Sequence, residues 1–352
     1  MKTSFYKYTF EDLQELFQQH QFPTASARLL YNWHYKKNRR EVFSHQDLSK
    51  KVKQFLEAHF EFDLPNVHLV QESTDKTVKF LFELKDRAKV ESVLIPFQNK
   101  YTLCLSSQVG CAMNCAFCYT GTQGLSRNLN TEEIVGQFLQ AKKWLVENRA
   151  EESRILNVVF MGQGEPLHNF EAVRDTCRIF LSSFGISLAN RKITVSTSGY
   201  LPGLRRWKSE MPNVNIALSL HSPFLEKRSQ LIPINKVYPL PEILNELKDI
   251  PSGDDRFVTY QYLLIKGFND TPLDAEATGK LLQGRRAYIN LIPFNPFPGS
   301  HFQRPEPHEI LEFKTLLEEF KIPVTLRTTK GDEILAACGQ LHVQGQNKSH
   351  SG

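Results

Sequence analysis

Residues 103–118 decide the fold: Leu-Cys104-Leu-Ser-Ser-Gln-Val-Gly-Cys111-Ala-Met-Asn-Cys115-Ala-Phe-Cys118. A short apolar run leads here into a loop that holds three cysteines within eight residues. A loop can wrap three such closely spaced thiols around one metal centre. The spacing therefore predicts a metal site on Cys111, Cys115 and Cys118 at the end of a strand.

Outward from this loop, the chain repeats a strand-then-helix pattern. The predicted strands span about 101–107, 155–161, 192–198, 214–220, 257–265, 287–293 and 322–328. Helical apolar spacing covers 132–146, 170–184, 240–247, 274–282 and 306–320. Alternating units of this kind predict an α/β fold with parallel strands, either a doubly wound sheet or a full or partial barrel. In each of these, the functional site lies at the carboxyl ends of the strands.

The N-terminal part has a different pattern. Residues 1–60 read as helices, the first opened by the capping-box sequence Thr9-Phe-Glu-Asp12. Two apolar runs, 77–83 and 90–95, are separated by a charged turn and predict a β-hairpin. We therefore predict an accessory helical and hairpin domain over 1–96, a core domain over 97–342 and a disordered polar tail over 343–352.

Composition places the cysteines in a reducing compartment. The chain of 352 residues has a net charge of +5, and it contains no apolar run of the length that a secretory signal or a bilayer-spanning helix requires. We therefore expect a cytoplasmic protein with no membrane association. Since cytoplasmic thiols stay reduced, the cysteines are expected to serve as metal ligands, catalytic groups or core residues.

Two kinds of metal centre fit the cysteine loop. Three ligands leave one iron of a 4Fe-4S cluster open, and an open iron can bind S-adenosylmethionine and reduce it to a 5′-deoxyadenosyl radical. The alternative is a structural zinc site with Cys104 as fourth ligand. The apolar surroundings of Cys104, between Leu103 and Leu105, favour the cluster.

Several further motifs resemble the RlmN/Cfr family of radical-SAM RNA methyltransferases. The resemblance spans nearly the whole chain and rests on the cysteine loop, with Phe117 before its last cysteine, and on the segments 104–111, 160–166 (FMGQGEP), 196–199 (STSG), 219–221 (SLH), 295–299 (NPFPG) and 331–341 (GDEILAACGQL). One position departs from the pattern, because this chain has Gln163 where the family usually has methionine.

The resemblance implies a radical-SAM partial (β/α) barrel preceded by a small RNA-binding domain. It implies a 4Fe-4S cluster on the three loop cysteines and two molecules of S-adenosylmethionine per turnover. The residues implied for binding S-adenosylmethionine are Gly164, Glu165, Ser196, Ser219, Leu220, His221 and Asn295. The catalytic residues implied are Cys338, Cys104 and Glu91.

The same resemblance implies how these groups act. Cys338 accepts a methyl group from one S-adenosylmethionine, and the radical made from a second removes a hydrogen from that methyl. The resulting carbon radical adds to an adenine ring carbon. Cys104 then attacks the Cys338 sulfur and releases the methylated base, while Glu91 accepts the proton. A one-electron reductant protein is implied as a partner. The oligomeric state is not predicted.

The implied substrate is RNA. RlmN enzymes methylate C2 of an adenosine in 23S rRNA and in tRNAs, whereas Cfr enzymes methylate C8 of the rRNA base, and the 295–299 segment looks more like RlmN. Basic runs at Lys36-Lys37, Arg39-Arg40 and residues 50–53 could bind phosphates, as could Arg205-Arg206 and Arg285-Arg286. The alternative hypothesis is that the chain is not an enzyme but a zinc-stabilised RNA-binding protein.

Overall fold

The structure is a computed structural model that describes residues 2–37, 39, 44–98, 100–149, 154–250 and 256–343. The predicted disordered tail spans residues 343–352, and all of it except residue 343 lies outside the described residues. A ten-stranded sheet forms the centre of the molecule. The fold confirms the predicted α/β class.

The strands of this sheet stand side by side in chain order. They are β1 (Asn66–Glu72), β2 (Val78–Glu83), β3 (Lys89–Phe97), β4 (Lys100–Cys104), β5 (Arg154–Phe160), β6 (Ile193–Thr197), β7 (Asn215–Ser219), β8 (Val258–Leu264), β9 (Ala287–Pro293) and β10 (Val324–Leu326). Strands β4 to β10 are parallel, whereas β1 to β3 pair antiparallel at the β4 edge. Because β10 and β1 do not pair, the barrel is partial, as predicted.

Among the described residues, three helices precede the sheet, and seven more lie between its parallel strands. They are α1 (Phe10–Gln19), α2 (Thr24–Tyr31), α3 (Lys50–His59), α4 (Thr131–Asn148), α5 (Phe170–Leu181), α6 (Leu201–Glu210), α7 (Leu225–Leu231), α8 (Leu240–Leu247), α9 (Pro272–Leu282) and α10 (Pro307–Glu318). Local sequence explains their starts. In α9, for example, the Thr271 side chain accepts a hydrogen bond from Asp274 N, and the Asp274 side chain accepts one from Thr271 N.

Burial explains why the middle strands read as nearly continuous apolar runs. Strands of a parallel sheet are covered on both faces, so alternation of polar and apolar residues is lost. Five consecutive residues of β8, from Tyr260 to Leu264, are buried. Gln261 is the polar exception, and it lies where β8 approaches the functional site.

The N-terminal helices pack against the side of the barrel. The rings of Phe10 and Phe184 lie 4.4 Å apart, and Lys142 of α4 donates to Tyr35 O at 2.8 Å. The predicted hairpin is present as β2 and β3, but it belongs to the main sheet because Val93 pairs with Cys104 of β4. The domain boundary at residue 96 stays a prediction.

Candidate active site

Two adjoining cavities open where the parallel strands end. The larger has a volume of about 700 Å³ and contains the thiols of Cys104 and Cys338. The smaller, of about 140 Å³, is lined by all three cysteines of the loop. Cys118 and Cys338 line both cavities. The sequence-predicted thiols are therefore brought together around two connected spaces.

A short hairpin and a turn hold the cysteine loop. Cys111 follows the strand Gln108–Gly110, which pairs with Leu125–Asn128, and its backbone N donates to Gly124 O at 2.9 Å. Cys118 N donates to Cys115 O at 3.1 Å. These backbone bonds direct the three side chains towards the smaller cavity.

The three loop thiols fit a thiolate-ligated iron–sulfur cluster. Burial, together with repulsion from Cys118 and Glu165, raises the pKa of Cys111 to about 12, against a backbone hydrogen bond from Met113. A bound cationic centre reverses this effect and deprotonates coordinating thiols. Cys111, Cys115 and Cys118 all line the smaller cavity, where they would hold such a cluster.

The polar wall of the smaller cavity is built from the ends of β5 to β8. Glu165 accepts hydrogen bonds from Ser198 N at 2.8 Å, from Ser198 Oγ at 2.7 Å and from Leu167 N at 3.1 Å. Burial raises the pKa of its carboxyl. Gly164 has a φ of +105°, and a Cβ there would lie 2.6 Å from Gln108 Cβ. A larger residue would displace the chain that positions Glu165.

His221 also lines the smaller cavity, and its ring accepts a hydrogen bond from the backbone. Its Nδ1 accepts a hydrogen bond from Leu263 N at 2.9 Å, and the Phe117 ring packs against it edge-on at 4.7 Å. Burial and the nearby Arg228 lower the pKa of His221 to about 3. The imidazole is therefore neutral at physiological pH and presents its other nitrogen as a donor.

Two of the seven residues predicted to bind S-adenosylmethionine do not line the smaller cavity. Ser196, Ser219, His221, Gly164 and Glu165 line the smaller cavity. The Leu220 side chain is fully buried and lines neither cavity. In an extended segment, successive side chains point to opposite faces, so Leu220 faces away from the cavity that Ser219 and His221 line.

Asn295 is the second predicted cofactor residue outside the smaller cavity. It lies in the larger one, where its Nδ2 donates to Cys338 O at 3.1 Å. Asn295 Oδ1 in turn accepts from Arg304 Nη2 at 2.6 Å. The amide thus holds the Cys338 backbone.

The Cys338 segment is docked on the turn that follows the cysteine loop. Tyr119 N donates to Gly339 O at 2.7 Å, and Thr120 Oγ1 donates to Leu341 O at 2.7 Å. The rings of Tyr119 and His342 stack at 3.8 Å. These contacts place Cys338 beside Cys118, although 220 positions separate them in the sequence.

The chain matches known proteins along nearly its whole length. The family model described as the Radical SAM superfamily matches residues 105–277. A probable dual-specificity RNA methyltransferase RlmN from Aquifex aeolicus is 41% identical over 341 residues, which are 96% of each chain. An RlmN from Rhodopseudomonas palustris strain BisA53 is 43% identical over 340 residues, covering 92% of this chain and 84% of the relative. The chain belongs to the RlmN family of radical-SAM methyltransferases. It is accordingly an S-adenosylmethionine-dependent RNA methyltransferase.

A solved structure agrees with this assignment. A radical SAM methyltransferase from Sphaerobacter thermophilus is 36% identical, has a TM-score of 0.88 and aligns with 97% of this chain and 99% of its own. Membership of this family implies a 4Fe-4S cluster and S-adenosylmethionine as cofactors. No helix in the described part of the chain is long and apolar enough to cross a bilayer.

Gln163, at the position where the resemblance leads us to expect methionine, lines neither cavity. Its Oε1 accepts from Glu91 N at 2.9 Å, and its Nε2 donates to Gln123 Oε1 at 3.2 Å. Gln123 in turn donates to Val343 O at 2.8 Å. The glutamine therefore links the Glu91 strand to the end of the Cys338 segment.

Glu91, the predicted proton acceptor, is held in a buried ion pair. Lys79 Nζ lies 3.0 Å from Glu91 Oε1, and His342 N donates to Glu91 Oε2 at 2.8 Å. Lys79 Nζ also lies 3.5 Å from Leu335 O. The pair thus fixes both ends of the segment that carries Cys338. Glu91 lines neither cavity, and its role as proton acceptor stays a prediction.

Sequence reasoning missed Arg228 and Gln261. The guanidinium of Arg228 is fully buried and donates to Ser198 O at 2.7 Å and Ser219 O at 3.0 Å, which ties the ends of β6 and β7 together. Gln261 Oε1 accepts from Ser196 Oγ at 3.1 Å. A polar residue inside the apolar run of β8 was the available signal for Gln261.

The basic residues of the N-terminal unit remain candidates for RNA contact. Lys37 Nζ and the Arg39 guanidinium lie 5.5 Å and 4.9 Å from the Trp33 ring centre. Arg40 lies outside the described residues.

The two basic pairs of the barrel are Arg205-Arg206 and Arg285-Arg286. Arg206 pairs with Glu210 at 2.6 Å. The Arg285 guanidinium donates to Leu281 O and Leu244 O at 3.2 Å, and it precedes β9 at the sheet edge opposite the site. Neither pair lines the two cavities, and contact of these pairs with RNA stays a prediction.

Labelling of Cys104 should depend steeply on pH. Burial and the neighbouring Cys338 raise the pKa of Cys104 to about 12, against the attraction of Arg327. Because the thiolate is the reactive form, alkylation of Cys104 should accelerate about tenfold per pH unit from roughly pH 7 to pH 10. Peptide-resolved mass spectrometry after iodoacetamide treatment of cluster-loaded protein measures this. A flat profile for Cys104 in the Cys338→Ala background would contradict its buried placement.

Proposed function

We propose that this enzyme methylates C2 of an adenosine in 23S rRNA and in tRNAs through a methyl group carried on Cys338. The observation that carries the proposal is the position of Cys338, which lines both cavities. A thiol at this junction can accept a methyl group from the cofactor side and deliver carbon to a base on the other side.

The chemistry of adenine calls for such a carrier. C2 lies between two ring nitrogens and is electron-poor, so it does not attack the electrophilic methyl of S-adenosylmethionine. The Cys338 sulfur does so as a thiolate. Asn295, which donates to Cys338 O at 3.1 Å, holds the carrier backbone during transfer.

The residues of the smaller cavity would hold the cofactors. Cys111, Cys115 and Cys118 would ligate the cluster, while Glu165 and Ser196 are placed to bind polar groups of S-adenosylmethionine. When bound there, the cluster and a second S-adenosylmethionine would supply the radical chemistry that removes a hydrogen from the methyl group on Cys338. Gly164, Ser219 and His221 complete the wall of this cavity. Leu220 would contribute packing behind that wall.

Cys104 would complete the turnover. Its thiolate would attack the Cys338 sulfur, so that an S–S bond forms, the S–C bond breaks and the released carbon takes up a proton to become the methyl group of the base. The unpaired electron left by the radical addition would pass to a one-electron acceptor such as the oxidised cluster. Glu91 would accept the proton from the ring carbon once the His342 contact opens. The disulfide must then be reduced by cellular thiols, which suits a cytoplasmic enzyme. A one-electron reductant protein would supply electrons to the cluster.

Two observations support C2 and both substrates. The 295–299 segment, NPFPG, resembles RlmN more than Cfr. Several relatives that match most of the chain carry the name dual-specificity RNA methyltransferase RlmN. Methylation at C8 of the rRNA base is the alternative.

Nucleoside mass spectrometry tests the proposal. In a bacterial host that lacks its own adenine-C2 methyltransferase, expression of this chain should restore 2-methyladenosine in both 23S rRNA and tRNA. The Cys338→Ala variant, produced at the same level, should restore none. 8-Methyladenosine would indicate the Cfr reaction, while unmodified RNA from a folded, cluster-loaded protein would refute the proposed activity.

A further inference from the structure

The larger cavity runs along β3 from Val93, which pairs with Cys104, to an exposed aromatic ring. Phe97, at the end of β3, is 70% exposed and lines the cavity that contains Cys104 and Cys338. The other strongly exposed phenylalanine of the described residues is Phe257, at 45%, which precedes β8, five strands along the sheet from β3. The Phe97 ring is therefore available to contact a molecule that enters the cavity.

An unpaired guanidinium lines the same cavity. Arg327, directly after β10, makes no side-chain hydrogen bond or ion pair among the described residues, and its charge acts on the Cys104 thiol in the same cavity. Its basic neighbours are engaged: Arg304 donates to Phe294 O at 2.7 Å, and Lys330 lies 4.0 Å from Asp75. Arg327 therefore offers its donors to whatever enters the cavity.

The cavity is large enough for more than the target base. Its volume of about 700 Å³ lies within the range of about 300–1,000 Å³ that encloses small ligands. Proteins that recognise unpaired RNA splay its bases apart, stack them on aromatic rings and bind phosphates with arginine. Phe97 and Arg327 are the two side chains needed for that mode.

We propose that Phe97 and Arg327 bind the nucleotide next to the target adenosine in single-stranded RNA. Phe97 stacks on the neighbouring base and Arg327 binds a phosphate. This subsite rests on the proposed methylation of RNA and specifies how the substrate strand is held. Stacking on Phe97 keeps the strand unstacked on one side, so that the target base can reach Cys338.

RNA binding measured at several salt concentrations tests the subsite. The probe is an RNA hairpin whose loop contains the target adenosine flanked by the fluorescent base 2-aminopurine. Phe97→Ala should weaken binding about tenfold at every salt concentration and abolish quenching of the fluorophore. Phe97→Trp should restore both, whereas Phe97→Leu should not, because stacking requires a ring.

Arg327 should behave differently from Phe97. Arg327→Ala should weaken binding and lower the slope of log affinity against log salt by about 0.7, the contribution of one phosphate contact on a single strand. Arg327→Lys should keep most of the slope because it keeps the charge. Weaker binding with an unchanged slope would show that Arg327 acts on the thiols instead of on phosphate.

Matched controls lie away from the larger cavity. Phe257→Ala removes an exposed ring before β8, five strands along the sheet from β3, and Lys248→Ala removes an exposed cation after α8. Both should bind the hairpin like the parent protein. If Phe97→Ala and Phe97→Leu also bind and quench like the parent while the parent methylates RNA, the subsite is wrong and the proposed function stands. If the parent binds in a Phe97-dependent way but never methylates, the proposed function fails separately.

Discussion

The Cys104→Ala variant is expected to accumulate RNA covalently attached to the protein through Cys338. In the proposed sequence, Cys338 carries carbon onto the base before Cys104 cuts it free. Without the second thiol, the addition takes place and the product cannot leave. Released methylated RNA should fall by at least about 10³-fold, as for other nucleophile removals. The adduct should survive a denaturing gel and, after digestion, map to residues 331–341.

The geometry makes this outcome specific to the pair. Cys104 and Cys338 line one cavity, and Cys104 is only 6% exposed, packed near Val93 and Leu341. The Ala substitution removes one sulfur from this wall and leaves the backbone pairing of β3 with β4 in place. Loss of turnover would therefore reflect the missing thiol.

Three controls decide the order of steps. Cys338→Ala should give neither adduct nor methylated RNA, because the carrier is absent. The double variant should also lose the adduct. Cys177→Ala should turn over normally, since Cys177 is fully buried in α5 and lines neither cavity. Normal turnover by Cys104→Ala, or an adduct at another residue, would refute the methyl-cysteine route.

Sequence periodicity was sufficient for the barrel because its strands are buried and its helices are amphipathic. The predicted strand 287–293 matches β9, and the predicted helix 240–247 matches α8. Strand β1 escaped prediction because six of its seven residues are exposed, so no buried face imposed an alternating pattern. It was found only through its pairing with β2.

The candidate site was predictable where it depends on local motifs, and it was not where it depends on distant contacts. Arg228 lies in the polar sequence of α7, which reads as a solvent-exposed helix. It is buried because the backbone carbonyls of Ser198 and Ser219 accept its donors. Likewise, no local pattern reveals that Lys79 pairs with Glu91, since adjacent strands bring them together. Motifs identify residues, but only the fold assigns their partners.

Replacing any one of the three loop cysteines should abolish cluster assembly. Two protein thiolates do not hold a 4Fe-4S cluster that the family binds with three. We expect iron and sulfide in anaerobically reconstituted Cys111→Ala, Cys115→Ala or Cys118→Ala protein to fall to background, together with 5′-deoxyadenosine formation. Elemental analysis and the visible absorption of the cluster measure the first effect, and chromatography of the nucleoside measures the second.

Cys104→Ala is the decisive comparison within this set, because the two metal-site hypotheses differ on it. If Cys104 were the fourth ligand of a structural zinc, its removal would release the metal as the other substitutions do. In the structure, Cys104 lies in the larger cavity and is absent from the wall of the smaller one, where Cys111, Cys115 and Cys118 meet. Cys104→Ala should therefore keep the full iron content of the parent protein and should still cleave S-adenosylmethionine. A cluster-loaded Cys115→Ala protein, or a Cys104→Ala protein that loses its metal, would overturn the assignment of the three ligands.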